Sequence, residues 1–122
     1  MMATSLILTH MSGPEDGRTE TISAEGRDAT ITIGRLPECT IRIADDPDAS
    51  RQHARISCRN GEWWLEDMGS ANGTFIGEFA QSYRITAPVK LAAGQIFRVG
   101  LTRFRLEMED YQDKKLTMVA YS

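Results

Sequence analysis

Short strand-like runs, each ended by Gly, Pro, Asn or Asp, recur along most of the chain and limit the folds open to it. The run at 29–33 alternates polar and apolar side chains as a half-buried strand does, and Asn60-Gly61 between two runs predicts a hairpin. Helical periodicity is nearly absent. Strands are predicted at 5–9, 19–23, 29–33, 40–43, 53–58, 62–67, 74–76, 83–85, 89–91, 95–99 and 102–107. About ten or eleven strands are too many for one flat open sheet, so an all-β, two-sheet β-sandwich is expected.

Composition narrows the class of protein. With 122 residues, 41% of them hydrophobic and 25% charged, the chain fits one globular domain. A net charge of −3 argues against bulk nucleic-acid binding, which depends on neutralising many phosphates. Cys39 and Cys58 form no C-x-x-C pair, so two free thiols in a reducing compartment are predicted. No secretory signal and no membrane-length apolar run is visible, so a cytoplasmic protein that does not bind a membrane is expected.

Three turn clusters carry groups suited to an oxyanion: Gly34-Arg35, Ser50-Arg51-Gln52-His53 and Ser70-Ala71-Asn72-Gly73-Thr74. The guanidinium groups of Arg35 and Arg51 can grip a phosphate through paired N–H bonds. Ser50 adds a hydroxyl donor, and the Asn-Gly turn adds an amide and backbone N–H groups. Together, and in this order, the clusters indicate a site that reads a phosphorylated residue.

These residues resemble the forkhead-associated (FHA) domain, a phosphothreonine-binding β-sandwich, and the resemblance is closer to its bacterial members. The family pattern of Gly-Arg, Ser-Arg-x-His and Asn-Gly-Thr is met within residues 31–107. The resemblance implies an FHA/SMAD-like sandwich in which Arg35 and Ser50 contact the phosphate and Arg51 supports them. Asn72 would hydrogen-bond the peptide backbone beside the phosphothreonine. Four further positions would shape the loops: Gly34, His53, Gly73 and Thr74.

Two positions depart from the family pattern. Ala71 stands where many members carry Thr or Ser, so one hydroxyl is missing, and Gly77 stands where many have Asn. The lost hydroxyl predicts binding weaker by about 1 kcal/mol.

Catalytic and metal-binding interpretations have less support. Ser50 and His53 could form a nucleophile and base, but no G-x-S-x-G elbow surrounds them. Asp45, Asp46 and Asp48 lack the Gly and Glu of a calcium loop and are predicted to form a solvated acidic turn. The adjacent Trp63-Trp64 pair predicts one ring in the core and one outside. We therefore expect no enzyme activity, no cofactor and no metal.

The predicted function is phosphothreonine-dependent binding of a peptide or protein in Ser/Thr kinase signalling, without catalysis. The partner would be a kinase substrate that carries phosphothreonine. The alternative is a phospho-independent docking or self-association module that uses a sheet face. Residues 1–109 are predicted to form the FHA-like sandwich, and 110–122 a C-terminal tail or an added strand.

Overall fold

Eleven strands in two sheets make up the computed structural model, which describes residues 5–12, 15–24 and 28–109. The first sheet has the order β2-β1-β11-β10-β7-β8 and the second the order β4-β3-β5-β6-β9. The strands are β1 (Ser5–His10), β2 (Thr19–Ser23), β3 (Ala29–Gly34), β4 (Ile41–Arg42), β5 (Ala54–Arg59), β6 (Glu62–Asp67), β7 (Thr74–Ile76), β8 (Tyr83–Arg84), β9 (Val89–Lys90), β10 (Ile96–Val99) and β11 (Thr102–Glu109). All neighbours are antiparallel except β3 and β4, which are parallel.

The all-β sandwich expected from the sequence is confirmed, and every predicted strand has a counterpart whose bounds differ by no more than two residues. The Asn60-Gly61 turn joins β5 to β6, and both residues adopt positive φ (54° and 78°), as this tight hairpin requires. A single 3₁₀ turn, Phe79–Gln81, was not anticipated. The predicted tail at 110–122 lies outside the described residues.

Alternate side chains of the strands fill one core between the sheets. Leu6 and Leu8 of β1 are fully buried, and the rings of Phe97 and Phe104 stack with their centroids 5.1 Å apart. Each such side chain stabilises the fold by about 1.5–3 kcal/mol when buried. Trp63 is buried and its neighbour Trp64 is half-buried, as the alternation of a strand predicts.

The register of the strands brings the three motif clusters to one end of the sandwich. In the second sheet, the end of β3, the start of β5 and the end of β6 lie side by side, because Ala54 pairs with both Ile33 and Asp67. In the first sheet, Val99 pairs with Thr74 and Thr102, so the start of β7 and the β10–β11 turn also meet. Hydrogen bonds described below join the loops of the two sheets at this end.

Candidate functional site

The loop that follows β3 lies directly against the segment 50–53. The N–H of Arg35 donates to the Ser50 carbonyl oxygen at 3.2 Å. A Cβ atom on Gly34 would collide with the Arg51 carbonyl oxygen and lie 3.0 Å from the Cys39 sulfur. Glycine at position 34 therefore permits the close approach of the two loops that carry the arginines.

Arg35 and Arg51 present exposed guanidinium groups at this end. The Arg35 Nε donates to the Ala49 carbonyl oxygen at 2.6 Å, which orients the side chain and leaves its two terminal nitrogens for a ligand. No hydrogen bond or ion pair joins the Arg51 side chain to another described residue. Arg42 adds a third exposed cation nearby, with its Nε donating to the Arg35 carbonyl oxygen at 3.1 Å.

His53 is fully buried and bridges two of the loops. Its Nδ1 accepts a hydrogen bond from the Ser50 N–H at 2.9 Å, and its Nε2 lies 2.8 Å from the Gly73 carbonyl oxygen. These partners require the neutral ring with its proton on Nε2, because Nδ1 faces a donor and Nε2 faces an acceptor. The imidazole thus joins the loop 50–53, which we call the serine loop, to the turn 70–74, which we call the asparagine turn.

This arrangement argues against Ser50 as a nucleophile activated by His53. Both ring nitrogens are engaged by backbone groups, and neither faces the Ser50 hydroxyl. The Ser50 Oγ instead accepts the Ala71 N–H at 3.0 Å. Since that bond uses a lone pair, the hydroxyl proton stays available for donation to an anion.

Asp67, at the end of β6, organises the turn that carries the asparagine. Its Oδ1 accepts the Ser70 and Thr74 hydroxyls at 2.6 and 2.7 Å, and its Oδ2 accepts the Gly69 and Ser70 N–H groups at 3.0 Å each. Burial alone raises the pKa of Asp67, but the hydrogen bonds from Ser70 and Thr74 outweigh it, so the pKa lies below its usual value of 3.8. The Ser70 Oγ also accepts the Gly73 N–H at 2.9 Å, which extends the chain of bonds through the turn.

Asn72 stands exposed at the tip of this turn. Its Nδ2 donates to the Asp48 carbonyl oxygen at 2.9 Å, so it contacts the same loop as the Ser50–Ala71 bond. A primary amide has two N–H donors and one oxygen acceptor, and one donor is used here. The second donor and the Oδ1 acceptor are left for the backbone of a bound chain.

The acidic turn at 45–48 differs from the expectation of a fully solvated segment. Asp45 and Asp48 are exposed, but Asp46 is completely buried. Its carboxylate accepts the Asp48 N–H at 3.0 Å, the Leu101 N–H at 2.9 Å and the Thr102 hydroxyl at 2.6 Å. The prediction for Asp46 is therefore wrong, because a carboxylate saturated with donors is stable in the interior.

The structure thus gathers the eight predicted site and loop-shaping residues at one end of the sandwich. Arg35, Ser50, Arg51 and Asn72 are exposed or half-buried there, whereas the loop-shaping positions Gly34, His53, Gly73 and Thr74 are buried beneath them. Cations, a hydroxyl and an amide are groups that can donate hydrogen bonds to an anion.

Sequence reasoning missed the supporting carboxylates Asp46 and Asp67. For Asp67 a local signal existed, since Asp followed at two and three residues by Gly and Ser is typical of a side chain that caps its own turn. For Asp46 two of the three partners lie 55 and 56 residues away along the chain, so no local pattern could reveal its burial.

Within residues 5–12, 15–24 and 28–109, no three His, Cys, Asp or Glu side chains come together to hold a metal ion. In the same part of the chain, no helix has the length and apolar character needed to cross a membrane.

The two-sheet sandwich presents this loop cluster at one end, and loops on a rigid scaffold often carry binding residues. The family model described as "FHA domain" matches residues 31–100 of this chain. The chain belongs to the FHA domain family, as its resemblance predicted.

Relatives and solved structures agree with this assignment. The FHA domain-containing protein FhaB of Mycobacterium tuberculosis is 38% identical over 76 residues, which is 62% of this chain and 46% of that protein. The chain therefore spans about half the length of this relative. The solution structure of an FHA domain from an Arabidopsis thaliana hypothetical protein superposes with a TM-score of 0.77 at 28% identity, covering 90% of each chain. Mycobacterium tuberculosis EmbR in complex with a low-affinity phosphopeptide superposes with a TM-score of 0.69 at 26% identity, covering 85% of this chain and 24% of EmbR.

Proposed function

We propose that this FHA domain is a non-catalytic module that binds phosphothreonine-containing segments of partner proteins. Arg35 and Ser50 bind the phosphate, Arg51 supports them, and Asn72 binds the peptide backbone next to the phosphothreonine. The observation that carries the proposal is the convergence of these four side chains on one loop surface, held by the buried His53 bridge.

The charges of site and ligand match. A phosphothreonine carries about −1.5 to −2 charge at neutral pH and offers three strong acceptor oxygens. Arg35 retains its two terminal nitrogens, Arg51 retains its whole guanidinium group, and Ser50 retains its hydroxyl proton. Since only a few contacts are strong and the peptide becomes ordered on binding, a modest affinity is expected.

The partner is expected to be a substrate of a Ser/Thr protein kinase, and the cytoplasm is the proposed location of the complex. Support comes from the phosphopeptide complex of EmbR and from the FhaA FHA domain complexed with the intracellular domain of Rv3910. The latter superposes with a TM-score of 0.68 at 25% identity. We assign the binding unit to residues 1–109 and propose that 110–122 form a C-terminal tail or an added strand.

The test compares one peptide in three forms (phosphothreonine, phosphoserine and unmodified threonine) by fluorescence anisotropy. Wild type is expected to prefer phosphothreonine, and Arg35→Ala to weaken that binding at least about tenfold, since it removes hydrogen bonds to a charged group. Arg59→Ala is the matched control, because Arg59 is exposed at the opposite end of the sandwich, beside the β5–β6 turn.

Binding that survives both dephosphorylation and Arg35→Ala would refute the proposal. It would favour instead the phospho-independent docking or self-association module that uses a sheet face.

A further inference from the structure

The outer face of the six-stranded sheet carries a row of cationic side chains next to the candidate site. Across the neighbouring strands β8, β7, β10 and β11, Arg84 pairs with Phe75, Phe75 with Arg98, and Arg98 with Arg103. We call these four residues the arginine row. Neighbouring strands are about 4.8 Å apart, so the row extends over roughly 15 Å.

Phe75 and Arg98 form the centre of the arginine row. The Arg98 guanidinium carbon lies 4.2 Å above the centre of the Phe75 ring, and one terminal nitrogen donates to the Gly100 carbonyl oxygen at 2.9 Å. A guanidinium that contacts a ring and donates one hydrogen bond has fewer conformations open to it, so its remaining donors are partly fixed in direction. On β11 the outward carboxylates lie farther from the site, at Glu107 and Glu109.

Arg84 connects the arginine row to the asparagine turn. Gly73 has a φ of +88°, and a Cβ atom on it would lie 2.7 Å from the Arg84 Nε. No hydrogen bond or ion pair joins the exposed Arg84 side chain to another described residue. The turn therefore has two contacts of different kinds. Asn72 is bonded to the Asp48 carbonyl oxygen, and Gly73 lies against the Arg84 side chain.

Because Arg84 lies against Gly73, a segment that binds the Arg35 and Ser50 surface and continues past Asn72 would come close to Arg84. Arg84 and Arg98 carry positive charge on this face, and Arg84 also lines a cavity with Glu66 and Asp67. The whole chain has a net charge of −3, so the attraction for an acidic side chain is local to these two arginines. We propose that the phosphothreonine segment bound by this domain carries acidic side chains on the one flank that passes the Asn72-Gly73 turn, and that Arg84 and Arg98 bind them. This inference rests on the proposed function and names the ligand within it.

The test uses three phosphothreonine peptides: one with three Glu residues before the phosphothreonine, one with three after it, and one with Gln at all six positions. One of the two Glu peptides is expected to bind about threefold to fivefold more tightly than the Gln peptide, the size of one or two exposed ion pairs. Arg84→Ala reduces this gain, and Arg84→Ala combined with Arg98→Gln abolishes it. Arg59→Ala leaves the gain intact, and Arg98→Lys, which keeps the charge, retains most of it.

The outcomes separate this inference from the proposed function. The acidic-flank inference is overturned if all three peptides bind equally, or if the gain survives Arg84→Ala combined with Arg98→Gln. In either case, Arg35-dependent binding of the Gln peptide still supports the proposed function. Loss of phosphothreonine-dependent binding for every peptide overturns both. Arg84-dependent binding of an unphosphorylated Glu peptide or of vesicles with anionic lipid shows that the arginine row serves a different partner, and also overturns the inference.

Discussion

Replacing Asp67 by Asn tests the hydrogen-bonded turn that presents Asn72. The substitution keeps the size of the side chain but removes its charge and places an NH₂ group opposite either two hydroxyls or two N–H groups. Each bond to a charged acceptor contributes about 1.5–3 kcal/mol. Because Asp67 is only partly buried and Asn still accepts some of these bonds, we expect Asp67→Asn to lower the free energy of unfolding by about 2–3 kcal/mol at neutral pH.

The dependence on pH distinguishes this cause from a packing defect. The folded pKa of Asp67 lies below its usual value of 3.8, so its contribution is present above that value and is lost as the pH falls through the folded pKa. The difference between wild type and Asp67→Asn in urea unfolding should therefore be full at pH 7 and shrink steadily as the pH is lowered below 3.8.

Asp28→Asn is the control for this experiment, since Asp28 is exposed and accepts one long bond of 3.4 Å from Asn60. It should change the free energy of unfolding by less than about 0.5 kcal/mol at either pH. The reasoning would be refuted if Asp67→Asn lowered the free energy of unfolding by no more than Asp28→Asn does. It would also be refuted if the loss caused by Asp67→Asn were the same at low pH as at pH 7.

Three further predictions concern the loops and the thiols. Gly34→Ala should destabilise the fold by about 1–3 kcal/mol and weaken phosphopeptide binding, since its Cβ would collide with backbone; urea unfolding and peptide titration measure both effects, and unchanged values would contradict them. Ala71→Thr should tighten binding by about 1 kcal/mol in the same titration, and no gain would mean that the missing hydroxyl is unimportant. Cys39 and Cys58 should resist a thiol reagent until the protein unfolds, because both are buried and burial raises the pKa of the Cys58 thiol; rapid labelling of the native protein would exclude this.

Much of the fold was predictable because its determinants are local. The alternation at 29–33 places Ile31 and Ile33 in the core, and Asn60-Gly61 supplies the positive φ angles that close the β5–β6 hairpin. The two-residue strand β4 was predicted about one residue too long at each end, because its parallel pairing to β3 depends on the path of the following loop.

The candidate site was predictable in its motifs but not in its supports. The three clusters could be read from the chain, whereas Asp46 was assigned to the surface because a run of aspartates is usually solvated. Arg84 was not singled out, because its proximity to Gly73 arises only when β8 adds to the edge of β7. Contacts of this kind depend on the assembled sheets, so no short window of sequence contains them.

The bonds from Asp46 to Leu101 and Thr102 also bear on how the protein acquires its binding competence. They close a loop of more than fifty residues, and contacts of such separation are costly to form before the intervening chain is ordered. We therefore expect the loop at 45–50 to reach the geometry of the folded protein only after β10 and β11 have joined the sandwich. Binding of a ligand would then require the completely folded domain. A partly folded chain is expected not to bind at all, rather than to bind weakly.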